Sequence, residues 1–337
     1  MGEFRVLSEA EVRQTLDMKQ VIEVVETVYK AKSSGGAEAW PTVFYDFEKG
    51  RADMDIKSGF LKSEKLFGHK TVTWFGDNEE RGIPTLMGVI VVFNAVTGEP
   101  LGLTDASFIT GIRTGAAAAT GVKYLAAKDA ENVLLLGAGN QALFQVAAVL
   151  TARPGIKKIR VAARNQKKVH TFIEGVSEKL KDTFNIDSEN VEFEAVDALE
   201  DAVKDSDIII TITSSRTPVI KHEWVKKGTH FSCIGADMEG KQEIDSKILT
   251  DAKIIVDDLK HCMEVGEIEI PLNEGVIKET DITGEIGDLI LGKIEGRNND
   301  EDITVFDATG MALLDIFTAN LALKSAAEKN LGTVSEI

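Results

Sequence analysis

The sequence predicts an α/β protein, a doubly wound parallel sheet inserted in an α+β domain. Residues 132–256 alternate short apolar runs with amphipathic stretches, the rhythm of strand–helix units whose strands lie parallel. Within them, Val133-Leu134-Leu135-Leu136 runs into Gly137-Ala138-Gly139-Asn140-Gln141-Ala142, which reads as a strand, a glycine turn and the start of a helix. Before that block a helical stretch and several β-like runs are mixed, and after it a helical pattern returns at 311–329.

From Ser8 to about Lys32 the pattern is helical. Ser8 and Glu11 form a capping-box signature, and Val21, Val24, Val25 and Val28 recur on one face. Short strands are expected at 43–47, 53–60, 68–75 and 85–93, punctuated by Gly50, Gly59, Gly82 and Thr97-Gly98. An Ala- and Gly-rich helix from about Phe108 to Ala127 should pack closely and link the two domains. Strands are then expected at 133–136, 158–162, 191–195, 207–212, 229–234 and 253–256, with helices over 167–181 and 198–203 among them. The last helix can return to the first domain, so residues 1–115 with 304–337 form one domain and 116–303 the other.

Composition narrows the class. At 337 residues, 43% hydrophobic and 28% charged, the chain suits two soluble globular domains. No apolar run reaches the roughly 18 residues of a membrane span, and the N-terminal residues carry no cationic-then-apolar export pattern. Two cysteines, Cys233 and Cys262, are expected to be reduced in a cytoplasmic protein. The histidines are scattered without metal-site spacing, so no metal is expected. A net charge of −17 argues against a nucleic-acid partner, which would need basic side chains on its phosphates.

The glycine turn carries the first chemistry. Gly137 permits the tight turn, Gly139 has no side chain to block a phosphate, and Ala142 takes the third small position, where helix and strand pack. The helix from Gln141 would aim unpaired N–H groups at a pyrophosphate. With the strand before it and further strand–helix units after it, the pattern is expected to be a Rossmann-type dinucleotide site rather than a merely structural βα turn. At the end of the next strand, Val161-Ala162-Ala163-Arg164-Asn165 has an arginine where an acid would select NAD. Arg164 instead suits a 2′-phosphate, so the cofactor is expected to be NAD(P) with a slight preference for NADP(H).

Three segments, Gly111-Ile112-Arg113-Thr114-Gly115, Gly137 to Gln141, and Ile234-Gly235-Ala236-Asp237-Met238-Glu239-Gly240-Lys241-Gln242-Glu243, occur in that order. Together they resemble the ornithine cyclodeaminase/mu-crystallin family, and within it the archaeal-type alanine dehydrogenases. The resemblance spans nearly the whole chain. It implies a Rossmann domain together with a domain that binds substrate and forms a homodimer.

Read alone, Arg113 is a surface or interdomain ion pair, Lys70 a solvent-facing strand lysine, and Asp237 a turn former as readily as a functional acid. The resemblance assigns them otherwise. Arg113 would grip a substrate carboxylate, for which a planar guanidinium is suited. Lys70 would hold that carboxylate or orient the reacting imine, and Asp237 would move the nitrogen proton. Thr309 is expected at the substrate. Thr85, Arg113, Thr211, Ser214, Ile234, Lys241 and Ala308 are expected at the cofactor, alongside Gly137, Gly139, Asn140, Gln141 and Arg164.

The implied activity is NAD(P)-dependent hydride transfer at the Cα–N bond of a small amino or imino acid. An alternative is cyclisation of ornithine to proline with loss of ammonia, and a further one is a non-catalytic NADPH-binding protein. This chain also departs from the family pattern. An arginine that often follows the proline near Pro41 is absent, and Glu239 stands where proline is common. The substrate pocket is therefore expected to differ from those of the alanine and ornithine enzymes.

Overall fold

A computed structural model describes residues 2–336, and the chain divides into two units, Met1–Arg113 with Met311–Ile337, and Thr114–Gly310. The first begins with β1 (Glu3–Leu7), α1 (Glu9–Thr15) and α2 (Met18–Ser33). The helical stretch expected from Ser8 to Lys32 is therefore broken. Ser8 and Glu11 do form the capping box, but Leu16 is extended and Asp17 caps a second helix by accepting from the N–H groups of Lys19 and Gln20.

The strands β2 (Ala37–Ala39), β3 (Val43–Glu48), β4 (Ala52–Leu61), β5 (Leu66–Phe75), β6 (Leu86–Asn94) and β7 (Pro100–Asp105) follow, and then α3 (Ser107–Leu125). They are hydrogen-bonded in the order β1-β7-β6-β5-β4-β2, with β3 also on β4; β1 and β7 run parallel and the rest antiparallel. Register puts Lys57, Lys70 and Ile90 in one row across β4, β5 and β6.

The second unit carries β8 (Asn132–Leu136), α4 (Ala142–Ala152), β9 (Lys158–Ala162), α5 (Gln166–Phe184), β10 (Glu192–Ala195), α6 (Leu199–Asp205) and β11 (Ile208–Thr211). Next come β12 (Arg216–Ile220), β13 (His230–Cys233), β14 (Gln242–Ile244), α7 (Ser246–Asp251), β15 (Ala252–Val256), α8 (Leu259–Val265) and α9 (Glu269–Asn273). The unit ends with β16 (Ile282–Glu285), α10 (Ile286–Ile290) and β17 (Ile303–Asp307). Its main sheet is parallel throughout, in the order β10-β9-β8-β11-β13-β17-β15-β16. Its central strands are fully buried runs such as Ile208-Ile209-Ile210, as expected of a sheet covered on both faces.

One strand differs from expectation. Residues 304–307, assigned from the sequence to the first domain, form most of β17, which lies between β13 and β15 in the second sheet. Pairing of Cys233 with Thr211 on one side and Asp307 on the other brings the carboxyl ends of β11, β13 and β17 into one row. That row is where a doubly wound sheet binds ligand.

The chain then returns to the first unit as α11 (Ala312–Lys329) and β18 (Thr333–Glu336), which pairs antiparallel with β1. α11 lies close on the sheet because glycines face it: a Cβ on Gly59 would come 2.8 Å from Leu313, and one on Gly102 2.5 Å from Leu323. The expected helix at 311–329 thus forms, buried along most of its length. Among the described residues no helix is long and apolar enough to cross a membrane.

Candidate active site

In the second unit, β8 delivers Gly137 at φ 129°, a conformation open to glycine, and its N–H donates to the Ala162 carbonyl at 2.8 Å. A Cβ at Gly137 would fall 2.7 Å from Ile212. Gly139 differs, since a Cβ there would meet nothing within 4 Å. The protein's own packing does not require that glycine, and the space beside it is open. Gln141 sits at the N-cap of α4 without a side-chain cap, and Ala142 N–H donates back to the Gly139 carbonyl at 3.0 Å, so the positive end of the helix starts directly from the glycine turn. The buried Gln141 Oε1 also has no partner.

This turn opens on a cavity of about 820 Å³, walled by Gly137 to Gly139, Arg164 to Gln166, Asp197 and Thr213 to Thr217. A second hollow of about 590 Å³, lined by Asn140, Lys167 and Lys168, also touches Gly139. The size of the cavity and the uncapped start of α4 beside the glycine turn fit a dinucleotide. Arg164 is exposed at the cavity wall, and Asn165 caps α5 by accepting from Lys168 N–H at 3.2 Å. Ser214 lines the cavity, whereas Thr211 is fully buried at the end of β11.

Along the row of strand ends, Ile234 N–H donates to the Thr211 carbonyl and Ala308 N–H to the Cys233 carbonyl, each at 3.0 Å. Asp237 follows on the loop with its side chain 52% exposed, ion-paired to the largely buried Lys241. Beneath that loop lies a carboxylate clamp that the sequence did not reveal. Glu243 accepts from Thr213 N–H at 2.6 Å and from Gly235 N–H at 3.0 Å. Glu267 in turn accepts from the N–H groups of Glu243 and Ile244, at 2.9 and 2.7 Å. Burial pushes both carboxyls up, and Glu267 well above the usual range because Glu243 adds like charge.

The hydroxyl of Thr309, expected at the substrate, is engaged inside the second unit. It donates to Asp257 at 3.3 Å and lies 2.7 Å from His261 Nδ1.

The first unit holds the cations. Lys70 on β5 is 4% exposed, between Lys57 and Ile90 on the neighbouring strands. Its Nζ is 2.9 Å from Asp315 Oδ2, and Arg113 Nε is 3.0 Å from Asp315 Oδ1. One buried carboxylate from α11 therefore bridges a strand lysine and a helix arginine. Burial lowers the Lys70 ammonium most, Asp315 pulls it back, and Arg113 and Lys57 push it down again, to about 8. Burial alone would raise the Asp315 carboxyl, but Arg113 and Lys70 outweigh it and hold the group below its ordinary value. Thr85, also in this unit, is half-buried just before β6, and its carbonyl accepts from Phe75 N–H at 2.9 Å.

Residues 3–330 match the model of the ornithine cyclodeaminase/mu-crystallin family. An alanine dehydrogenase of Archaeoglobus fulgidus is 36% identical over 335 residues, covering 97% of each chain. Among solved structures, an archaeal alanine dehydrogenase dimer with bound NAD superposes with a TM-score of 0.90 at 34% identity, covering 99% of each chain. The Δ1-pyrroline-2-carboxylate reductase of Thermococcus litoralis, in complex with NADH and L-proline, gives a TM-score of 0.90 at 33% identity, covering 98% of this chain and 99% of that one.

Proposed function

Because the chain belongs to the ornithine cyclodeaminase/mu-crystallin family, we propose that it is an NAD(P)-dependent oxidoreductase acting at the Cα–N bond of a small amino or imino acid. The bridged pair Lys70–Asp315–Arg113 carries this reading. Two cations share one carboxylate, leaving a net positive charge in a buried place, which is costly until an anion arrives. A substrate carboxylate is such an anion.

Arg113 spends Nε on Asp315, so its Nη edge is the part that would take the carboxylate. Lys70 has ammonium protons beyond the one on Asp315 and would hold the second carboxylate oxygen or the reacting nitrogen. Asp237 would take the proton from the substrate nitrogen in oxidation and return it in reduction. A bound nicotinamide supplies the hydride acceptor or donor. The residues that would hold its dinucleotide are the Gly137–Gly139 turn, the start of α4 and Ser214. Arg164 stands where an acid would select NAD, so NADP(H) is our proposed preference.

A homodimer is part of the same reading. Val43, Tyr45, Met87 and Val89, with exposures of 38 to 58%, share the sheet face that Lys70 does not, and a second copy would cover apolar surface of that extent. Two buried free cysteines suit the cytoplasm.

The test is a screen of amino, imino and 2-oxo acids with ammonia, monitored by nicotinamide absorbance with NAD(H) and NADP(H) side by side. Stoichiometric absorbance change with a small imino or amino acid is expected. Proline formed from ornithine without lasting absorbance change would make the protein a cyclodeaminase, and cofactor binding without any turnover would make it a binding protein.

A further inference from the structure

We infer that Asp315 is a positioning residue that keeps Lys70 protonated near neutrality and turns the Nη edge of Arg113 toward the substrate carboxylate. The inference rests on the proposed function for what the two cations bind. The geometry itself is independent of that reading.

α11 is apolar where it meets the sheet, with Leu313, Leu314, Ile316 and Phe317 buried around a single acid. An unpaired carboxylate there would be strongly disfavoured. Each of its oxygens instead meets one cation, Oδ2 at 2.9 Å from Lys70 Nζ and Oδ1 at 3.0 Å from Arg113 Nε. A guanidinium held through Nε cannot rotate its fork away, and its two Nη groups make no hydrogen bond among the described residues. Lys70 keeps two ammonium protons for a ligand after donating one.

The charges facing Lys70 decide its state. Arg113 from α3 and Lys57 from β4 both oppose its protonation, and β6 presents Ile90 in register. β4 also carries Asp55 on the same face, two residues from Lys57, and Asp315 from α11 is the leading charge that favours the ammonium. Without that acid, burial and two like charges prevail. Lys70 would then be neutral near pH 7 and a poor anion ligand.

The test follows the Lys70 Cε resonance by NMR in protein labelled with [ε-13C]lysine, assigned by its absence in Lys70→Gln. The wild-type midpoint should lie near 8. In Asp315→Asn it should fall by about one pH unit or more, and the alkaline limb of kcat/KM should move with it. Asp315→Glu should stay within about half a unit of wild type, since the charge is kept. An Asp315→Asn protein that melts normally with an unmoved Lys70 midpoint would overturn the inference. If Asp315→Asn does not fold, Asp315→Glu decides, and a fall of about a full unit there would equally overturn it. The NMR arm needs no turnover, so a wild-type protein inactive on every acid would sink the proposed function and leave the role of Asp315 separately measured.

Discussion

Gly235 donates its N–H to Glu243 Oε2 at 3.0 Å, and a Cβ on the same glycine would fall 2.4 Å from that oxygen and 2.3 Å from the Thr213 carbonyl. The loop carrying Asp237 is thus clamped two residues upstream by an acid that also holds the neighbouring loop through Thr213 N–H. Gly235→Ala should lose about 1–3 kcal/mol of stability by overpacking. Glu243→Gln presents an N–H donor to one of two backbone donors and should cost about the same by leaving a buried group unsatisfied. Urea midpoints measure both. A neutral Gly235→Ala would mean the clamp is loose.

Gly139 makes the opposite prediction. With nothing within 4 Å of its would-be Cβ, Gly139→Val should leave the melting temperature within about 2 °C of wild type. Its side chain would instead stand where the pyrophosphate is expected, and cofactor affinity should fall at least about tenfold, or ~1.4 kcal/mol. Calorimetric titration with NADH and NADPH checks this. Undiminished affinity would put the dinucleotide elsewhere.

Asp237 is exposed and paired with Lys241, so Asp237→Asn should be structurally mild. Cofactor binding should persist, while kcat should drop by about 10²-fold or more for loss of a proton-transfer group. Fluorescence titration and steady-state rates separate the two effects. Full activity in this variant would remove Asp237 from the chemistry.

The glycine turn and Asp237 were singled out in the sequence for different reasons. The glycine turn is local, because the strand, the small residues and the helix start are contiguous, and the parallel sheet follows from the same alternation. Family pattern brought forward Lys70, Arg113 and Asp237. Asp315 escaped because its partners are 245 and 202 positions away. The only local sign was one acid in an apolar helix. Glu243 was quoted as part of a motif, yet nothing along the chain says that its oxygens reach Thr213 and Gly235. The break at Leu16-Asp17 was hidden because apolar spacing continues across it, while Asp17 was available as a cap. The position of β17 was hidden because sheet order is set by tertiary packing, not by sequence neighbours.

Arg164 tests cofactor choice. It is exposed beside the Gly137–Gly139 turn, at the wall that also carries Asp197. Arg164→Ala should weaken NADPH by about tenfold or more and leave NADH nearly unchanged, because a charge-assisted contact contributes ~1.5–3 kcal/mol only where the extra phosphate is present. Equal losses for both cofactors would show that Arg164 serves the shared part of the dinucleotide.

Asp307 gives a pH-dependent prediction. It ends β17, fully buried, with Oδ2 accepting from Ile268 N–H at 3.2 Å and Oδ1 without a partner. Burial, reinforced by the Asp257 charge, raises its carboxyl to about 8, against ~3.9 in an unfolded chain. Between those values the folded state binds a proton that the unfolded state lacks. Stability from this group is therefore complete below about pH 4 and is lost as the pH rises toward 8. Asp307→Asn mimics the neutral acid, keeps an oxygen for Ile268 N–H and has no proton to lose. Urea midpoints at pH 5 and pH 8 should show wild type losing more stability over that interval than Asp307→Asn, with a slope from this group of at most ~1.4 kcal/mol per pH unit. Parallel slopes for the two proteins would mean that Asp307 is already ionised in the fold, with its unpartnered oxygen satisfied by water.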